Sequence, residues 1–200
     1  KNLVSFYGRT YESQYLCGMV AGAMTKSNKI GFVAANPFGL VNWTVNAYLL
    51  GAKQMNPNVT MNVVFTGAWN DPVKERAAAE ALVEQGIDVI GQHVDSPTPQ
   101  IVAQENGVFG TGHHRDMTEF AGDATLCSSV WVWDKYLTPK ISEIASGEWS
   151  PSAWGDFLSI KQGGTDIKLS DKVPSDIASK VMAERDAIVG GKSVYVGPLK

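Results

Sequence analysis

Three apolar runs of this chain, at residues 61–65, 87–90 and 108–109, each lead into a cluster of aromatic and polar residues. The clusters are Trp69-Asn70-Asp71, Gln92-His93-Val94-Asp95-Ser96 and His113-His114-Arg115-Asp116. Loops at the carboxyl ends of neighbouring strands in an open parallel sheet converge on one crevice, so we expect the three clusters to face one another. A large ring beside amide, imidazole and carboxylate groups suits a pocket for a flat, polar, nitrogen-rich molecule.

The spacing of the apolar runs predicts strands that alternate with helices. Strands are expected at 29–35, 61–65, 87–90, 108–110, 125–131 and 157–160, and helices at 11–25, 42–55, 72–85, 99–105, 133–146 and 174–189. Asp71 and Pro72 are typical of the first positions of a helix, as N-cap and first-turn residue. The alternation indicates βαβ units with right-handed crossovers. The predicted fold class is α/β, a parallel sheet with helices on both faces.

Length and charge limit the function classes. The chain has 200 residues, 44% of them hydrophobic, and a net charge of −3. Nucleic-acid-binding proteins usually show a basic face, so we expect no nucleic-acid partner. No apolar run approaches the roughly 20 residues of a membrane-spanning helix, so we expect no direct membrane span. The first predicted helix, at 11–25, is expected to belong with a preceding part, and Tyr195-Val196-Gly197-Pro198 resembles a strand cut off in its course. Together they indicate a piece of a two-lobed protein.

Metal and cofactor binding are not expected. Cys17 and Cys127 have no ligand-spaced neighbours and are interpreted as small buried thiols rather than a disulfide,. Adjacent side chains on an extended backbone point to opposite sides, so His113 and His114 should not share one ion. No Gly-x-Ser-x-Gly elbow, Walker loop or dinucleotide glycine fingerprint occurs in the sequence,.

Several stretches together resemble the basic membrane protein family of ABC-transporter substrate-binding proteins. They lie at residues 6–9, 15–22, 29–33, 46–52, 69–75, 92–97, 112–117 and 131–136, in the family's order. Among them are Trp69-Asn70-Asp71-Pro72, Gln92-His93-Val94-Asp95-Ser96-Pro97 and Gly112-His113-His114-Arg115-Asp116-Met117. Cys17 stands where the family usually has alanine.

The resemblance implies a type I periplasmic-binding-protein fold, in which two lobes close on a ligand, and a chain that holds mostly the second lobe. We expect residues 1–25 to be a remnant of the first lobe, 26–127 the second lobe, and 128–200 the hinge return with partial first-lobe elements. The implied ligand is a purine base or nucleoside, with free bases such as adenine favoured. The implied partner is an ABC permease, the location is periplasmic or extracellular with a lipid anchor in the full-length protein, and no enzymatic activity is expected.

The candidate site follows from the clusters and the resemblance. Trp69 is expected to stack on a planar base, the alternative being a core tryptophan at the sheet end. Asn70 can donate and accept at once, as a purine edge requires. Trp131 and Trp133 alternate along a strand end, so we expect them to face opposite sides, with Trp131 towards the cleft. Where other branches of the family have a lysine near a ribose, this chain has tryptophan, which favours a base over a nucleoside. The expected ligand contacts are Trp69, Asn70, Gln92, His93, Asp95, Ser96, His114, Asp116 and Trp131.

The polar members of that set have structural alternatives. Gln92 or His93 could bond ring nitrogens and Asp95 an exocyclic amine, or this run could be an ordinary loop whose Asp95 or Ser96 caps a helix. Asp116 is expected to give the ligand a charge-assisted hydrogen bond, its alternative being an Asx turn. Two other functions stay open: a nucleoside-processing hydrolase, and a ligand-sensing domain of a receptor or regulator.

Overall fold

The computed structural model of the chain describes residues 2–151 and 154–197. Its strands are β1 (Phe6–Gly8), β2 (Lys29–Ala34), β3 (Thr60–Phe65), β4 (Val89–His93), β5 (Phe109–Gly112), β6 (Thr125–Trp131), β7 (Asp156–Leu158) and β8 (Thr165–Leu169). Its α-helices are α1 (Thr10–Met24), α2 (Gly39–Met55), α3 (Pro72–Glu84), α4 (Thr98–Glu105), α5 (Trp133–Ser146) and α6 (Ser175–Val189), and a 3₁₀ turn covers Met117–Glu119. Strands and helices alternate as predicted, so the α/β class is confirmed.

Six strands form the main sheet, in the order β3-β2-β4-β5-β6-β8. The neighbours from β3 to β6 pair in parallel, whereas β8 runs antiparallel to β6. Ile30 and Phe32 join one apolar core with residues of α1, α2 and α6, and Val33 joins a second core with residues of α3 and α4. Successive side chains of β2 therefore meet helices on opposite faces of the sheet.

Helices α1 and α2 pack so closely that glycine is required at their contact. A Cβ added to Gly18 would lie 2.0 Å from the carbonyl oxygen of Tyr48, and one added to Gly51 would lie 1.9 Å from that of Tyr15. Residues 10–24 thus pack beside α2 on the main sheet. The three-part division of the chain stays a prediction.

A second, small unit lies outside the main sheet. It consists of β1 and β7, which pair in parallel, and α5, whose Trp133 and Tyr136 rings contact the Phe6 ring of β1. Leu137, Ile141 and other apolar residues of α5 are exposed. They line an apolar groove of about 410 Å³ together with residues 2–4. This unit covers less of its own apolar surface than the main sheet does.

Four sequence-based expectations need correction. Strand β4 reaches His93, because it pairs with β2 as far as the Ala34–His93 register, so the predicted end at residue 90 is too early. Strands β1 and β8 were not expected, and β8 makes the sheet mixed rather than wholly parallel. Tyr195, Val196 and Gly197 form no strand. Instead Asn46 Nδ2 donates to the carbonyls of Val196 and Gly197, and Pro198 lies outside the described residues.

The remaining boundaries differ from the predicted ones by one to three residues, with β6 and α5 as predicted. The side chain of Asp71 caps α3 by accepting from the Lys74 amide, and Pro72 is the first helical residue, as expected. Cys17 and Cys127 are buried free thiols. Among the described helices, none combines the length and the apolar character needed to cross a membrane.

Candidate functional site

The ends of neighbouring parallel strands bring the three predicted clusters together. Six rings follow one another in space, with centroid separations of 6.1, 4.5, 4.0, 5.8 and 4.5 Å. In this order they are Trp69, His93, His113, His114, Trp131 and Trp133, which we call the ring ladder. The expected convergence at the carboxyl edge of the sheet is confirmed.

Two local expectations about these rings were wrong. His113 and His114 do not point to opposite sides, because His114 has a left-handed backbone (φ 69°) that ends the extended conformation and lets the two rings meet. Trp131 and Trp133 stack at 15° instead of facing apart, because the strand ends at Trp131 and the helix begins at Trp133. Alternation of side chains applies only while the strand continues.

His114 is held as a neutral imidazole. Its Nδ1 accepts from the indole Nε1 of Trp131 at 2.7 Å, and its Nε2 lies 2.7 Å from Asp95 Oδ1. An indole N–H can only donate, so the single proton of His114 sits on Nε2 and is donated to Asp95. Burial lowers the pKa of His114, although Asp95 opposes the shift. A proton on Nδ1 would face the indole hydrogen.

His113 is the third ring of the ladder and is fully buried. Its Nδ1 lies 3.1 Å from the side-chain nitrogen Nε2 of Gln14 on α1, and its own Nε2 has no hydrogen-bond partner within the described residues. Burial first, and then the neighbouring imidazoles, hold the pKa of His113 well below its usual range. This ring is therefore neutral and leaves one polar atom unpaired.

His93 ends β4 between Trp69 and His113 and is 1% exposed. Neither of its ring nitrogens bonds to another residue in the described part of the chain. Burial lowers the pKa of His93 to about 4. Buried polar groups without partners cost free energy, so these nitrogens are groups that a ligand could pair.

Gln92 and Ser96 hold the loop that follows β4. Gln92 Nε2 donates to the carbonyls of Val94 and Ser96, both at 2.9 Å, and its Oε1 accepts from Gln100. The Ser96 hydroxyl donates to buried Glu75 and accepts from the Thr98 amide at the start of α4. Ser96 thus bonds to the first residue of α4, whose N-cap position is Pro97. A ligand contact of Gln92 or Ser96 stays a prediction.

Asp116 uses both carboxylate oxygens within the protein. Oδ1 accepts from the amide and hydroxyl of Thr118, and Oδ2 lies 2.7 Å from Lys168 Nζ. Partial burial raises the pKa of this carboxyl, but the hydrogen bonds from Lys168 and Thr118 outweigh it and the net pKa is lowered. The Asx-turn alternative describes these contacts. The predicted ligand bond of Asp116 stays a prediction.

Trp69 and Asn70 lie at the surface end of the ladder. The Trp69 ring is 43% exposed, and its other neighbour is the Phe38 ring at 6.1 Å. Asn70 is exposed beside it. The backbone here is fixed because the Asp95 amide donates to the Trp69 carbonyl at 2.9 Å. A large ring face and a free amide are thus available at one end of the site.

Sequence reasoning missed two contributors. Residues 15–24, which follow Gln14 in α1, are all apolar or small, and an amide beside such a run is a signal that it pairs with something buried,. Tyr7 of β1 packs edge-on against Trp131 at 5.1 Å, and burial, helped by Asp95, raises its pKa. In the described residues no group of three or more His, Cys, Asp or Glu side chains is placed to hold a metal ion.

Comparison with known families and proteins agrees with the resemblance seen in the sequence. The family of ABC transporter substrate-binding proteins described as PnrA-like matches residues 1–195. A purine-binding protein of Brucella abortus is 32% identical over 100% of this chain and 57% of its own length. A putative ABC transporter glucose-binding protein of Haloferax volcanii is 39% identical over 78% of this chain and 40% of its own length. The chain thus spans about half the length of these relatives.

Other similarities concern receptors and solved structures. Metabotropic glutamate receptor-like protein K of Dictyostelium discoideum is 34% identical over 78% of this chain and 23% of its own length. A solute-binding protein of an ABC transporter system from Aeropyrum pernix superposes with a TM-score of 0.80 over 100% of this chain and 68% of that one, at 18% identity. At this identity the comparison shows a shared fold only, and that fold is the one of periplasmic binding proteins. This chain corresponds to part of it.

Proposed function

The chain belongs to the family of PnrA-like substrate-binding proteins of ABC transporters, and we propose that it serves to capture a purine base or nucleoside for import. The observation that carries the choice of ligand is the ring ladder with its unpaired, buried imidazole nitrogens. A flat heterocycle can stack on Trp69 and at the same time pair nitrogen groups at the ladder's edge.

Stacking supplies affinity with little selectivity among bases. Base–aromatic stacking is worth about 1–3 kcal/mol for each base and tolerates any flat ring. The exposed Trp69 face offers this, and the neighbouring Phe38 ring widens it. Hydrogen bonds to His93 and Asn70 would then decide which edge is preferred. We propose a free base of the adenine type as the first ligand to test, because bulky Trp131 lies near the point where other branches of the family have a lysine that reaches a ribose.

The names of the two relatives suggest different ligands, a purine and glucose. A hexose presents many hydroxyl groups, and each needs a hydrogen-bond partner when it is buried. Here Gln92, Ser96 and Asp116 already pair with protein groups. Within the described residues, the buried side-chain atoms without a partner are ring nitrogens of His93 and His113 and amide oxygens of Gln14 and Gln100. Those that belong to the ladder are imidazole nitrogens, which favours a purine, and glucose is the competing ligand.

Capture requires a second surface opposite the ladder. We propose that the chain supplies mainly one lobe of a two-lobed clamp, with 26–127 as its centre, and that hinge closure buries the ligand. Tyr7, in the small unit, already packs on Trp131. We propose that the small unit moves with the opposing lobe when the two lobes close. We place the protein in the periplasm or outside the cell, with a lipid anchor in its full-length form, and an ABC permease as its partner.

The test is a ligand screen on the full-length protein. Adenine, adenosine, guanine and glucose are each titrated by calorimetry and by thermal unfolding, and the solutions are then analysed for products. A ligand at about 100 times its Kd should stabilise the folded protein by about 2.7 kcal/mol. We expect saturable stabilisation by at least one purine and no product.

Each alternative gives a distinct result. Saturable binding of glucose without purine binding would contradict the ligand proposal while leaving the transport family untouched. Free base released from adenosine would support the hydrolase. If purines bind but the protein fails to restore purine uptake in cells that lack it, the ligand-sensing alternative gains, as the similarity to Dictyostelium receptor-like proteins allows.

A further inference from the structure

Two of the three ladder histidines have a tautomer that the protein fixes. The indole of Trp131 can only donate, so His114 carries its proton on Nε2,. The side-chain nitrogen Nε2 of Gln14 also donates to the backbone carbonyl oxygen of Gln92 at 3.1 Å. That carbonyl can only accept, which sets the orientation of the Gln14 amide and makes His113 Nδ1 an acceptor,. His113 therefore also carries its proton on Nε2.

His93 differs from both of its neighbours. It is held by ring contacts with Trp69 and His113, at 6.1 and 4.5 Å, and not by a hydrogen bond to another described residue. Moving its proton from one nitrogen to the other therefore breaks no bond to another described residue and affects only the contact of the ring with its own backbone. For His113 or His114 the same change would place two donors against each other.

We infer that His93 reads the edge of the ligand and takes whichever tautomer the ligand requires. A 6-amino purine would donate to an unprotonated His93 nitrogen, and a 6-oxo purine would accept from the protonated one. The site should then accept uncharged bases of both kinds. This inference rests on the proposed function. Gln14 becomes a positioning residue, because it keeps His113 fixed beside the ring that changes.

The first experiment compares two bases that differ at this position. Adenine and hypoxanthine are titrated by calorimetry into the full-length protein and into its His93→Phe variant, which keeps a flat ring in the ladder but has no nitrogen. We expect the wild-type Kd values to lie within about tenfold of each other, and the variant to lose about tenfold or more for both bases. Its thermal unfolding checks that the fold is retained.

The second experiment observes the protons directly and needs no variant to fold. Histidine ¹⁵N spectra of the wild type are recorded with adenine and then with hypoxanthine. We expect the protonated nitrogen of His93 to differ between the two complexes while those of His113 and His114 stay the same. In Gln14→Leu, whose side chain cannot donate, the fixed tautomer of His113 should be lost. A merely structural role of Gln14 would leave that spectrum unchanged.

The outcomes separate the inference from the proposed function. If both bases bind but His93→Phe binds them as tightly as the wild type, or if the His93 tautomer is the same in both complexes, the inference fails and purine capture stands. A preference above about a hundredfold for one base also overturns it, since a fixed tautomer would produce that. If no purine binds at all, the proposed function fails and the inference fails with it.

Discussion

The main sheet and the small unit differ in how completely they cover their apolar residues. In the main sheet Ile30, Phe32 and Ile90 are fully buried between helices on both faces. In the small unit each strand has three residues, and Ile141 of α5 is 64% exposed beside the apolar groove. An exposed apolar surface of this kind is typical of a contact with another part of a protein. The ladder is accordingly built almost wholly on the main sheet.

The difference matters for the proposed function because the two regions supply different parts of the site. The main sheet positions Trp69, His93 and His113 through strand ends that cannot move independently. The small unit adds Tyr7 and Trp133, which approach from the side. Hinge closure requires a rigid surface that contacts the ligand and a less firmly packed unit beside it. Four experiments test this contrast between the main sheet and the small unit.

A matched pair of leucine substitutions tests the energetic contrast. Leu16 of α1 is fully buried, whereas Leu137 of α5 is 37% exposed. Leu16→Ala should lower the free energy of unfolding by about 2–5 kcal/mol, because it removes buried methyl groups and leaves a cavity. Leu137→Ala should change it by no more than about 0.5 kcal/mol. Urea denaturation of both variants measures this. Equal losses would mean that α5 is packed as firmly as α1.

Acid should weaken the main sheet through its histidines. The pKa of His93 in the folded protein is about 4, below its usual value near 6.5,. The contribution of neutral His93 to the free energy of unfolding is therefore fully present above about pH 6.5 and is lost as the pH falls towards 4. By pH 4 the loss from His93 is on the order of 3 kcal/mol. His113 and His114 act in the same direction. Denaturation across this range should show the slope, and His93→Phe should reduce it.

If the wild type and His93→Phe lose stability equally between about pH 6.5 and 4, His93 does not take up a proton on unfolding. Its burial in a neutral ladder would then be wrong. His114 faces Asp95, Tyr7 faces both Asp95 and Trp131, and these groups are unchanged in the variant. They form the common background against which the two slopes are compared.

A matched pair of tryptophans tests where the ligand lies. Trp69 and Trp43 are exposed to a similar extent, 43% and 40%, but only Trp69 has a ring contact with the ladder among the described residues. Trp69→Ala should weaken purine binding by about 1–3 kcal/mol, and Trp43→Ala should leave it unchanged. Calorimetry on the full-length protein measures both. Equal effects would place the stacking platform elsewhere.

The smallest effects should be alike in the two regions. The Tyr48 hydroxyl lies 2.9 Å from that of Thr111 in the main sheet, and the Tyr136 hydroxyl donates to Asp156 at 2.6 Å in the small unit. Tyr48→Phe and Tyr136→Phe should each cost about 1 kcal/mol of unfolding free energy. A much larger loss for either, by urea denaturation, would show that hydrogen bonding contributes to the contrast, which we attribute to apolar burial.

Much of the architecture could be predicted because it depends on local patterns. The apolar run of β2, the cap and proline that begin α3, and the small residues of α1 each indicate their structure within a few neighbouring positions. Strands β1 and β8 were missed because they are short or polar and exist through pairing with distant partners, β7 and β6. The left-handed backbone of His114 could not be predicted, because the residue type alone does not indicate where the alternation of side chains ends.

The α/β alternation, the resemblance to the family to which the chain belongs, and the convergence of three clusters at one sheet edge could all be inferred from the amino-acid sequence. Which polar groups are paired and which are unpaired depends on how the folded chain packs. Gln92, Ser96 and Asp116 pair with nearby backbone and side chains, whereas His113 is paired by Gln14, 99 residues away. The reason is physical: hydrogen bonds inside a core are settled by what packs above and below each group, and residue types along the chain do not record that.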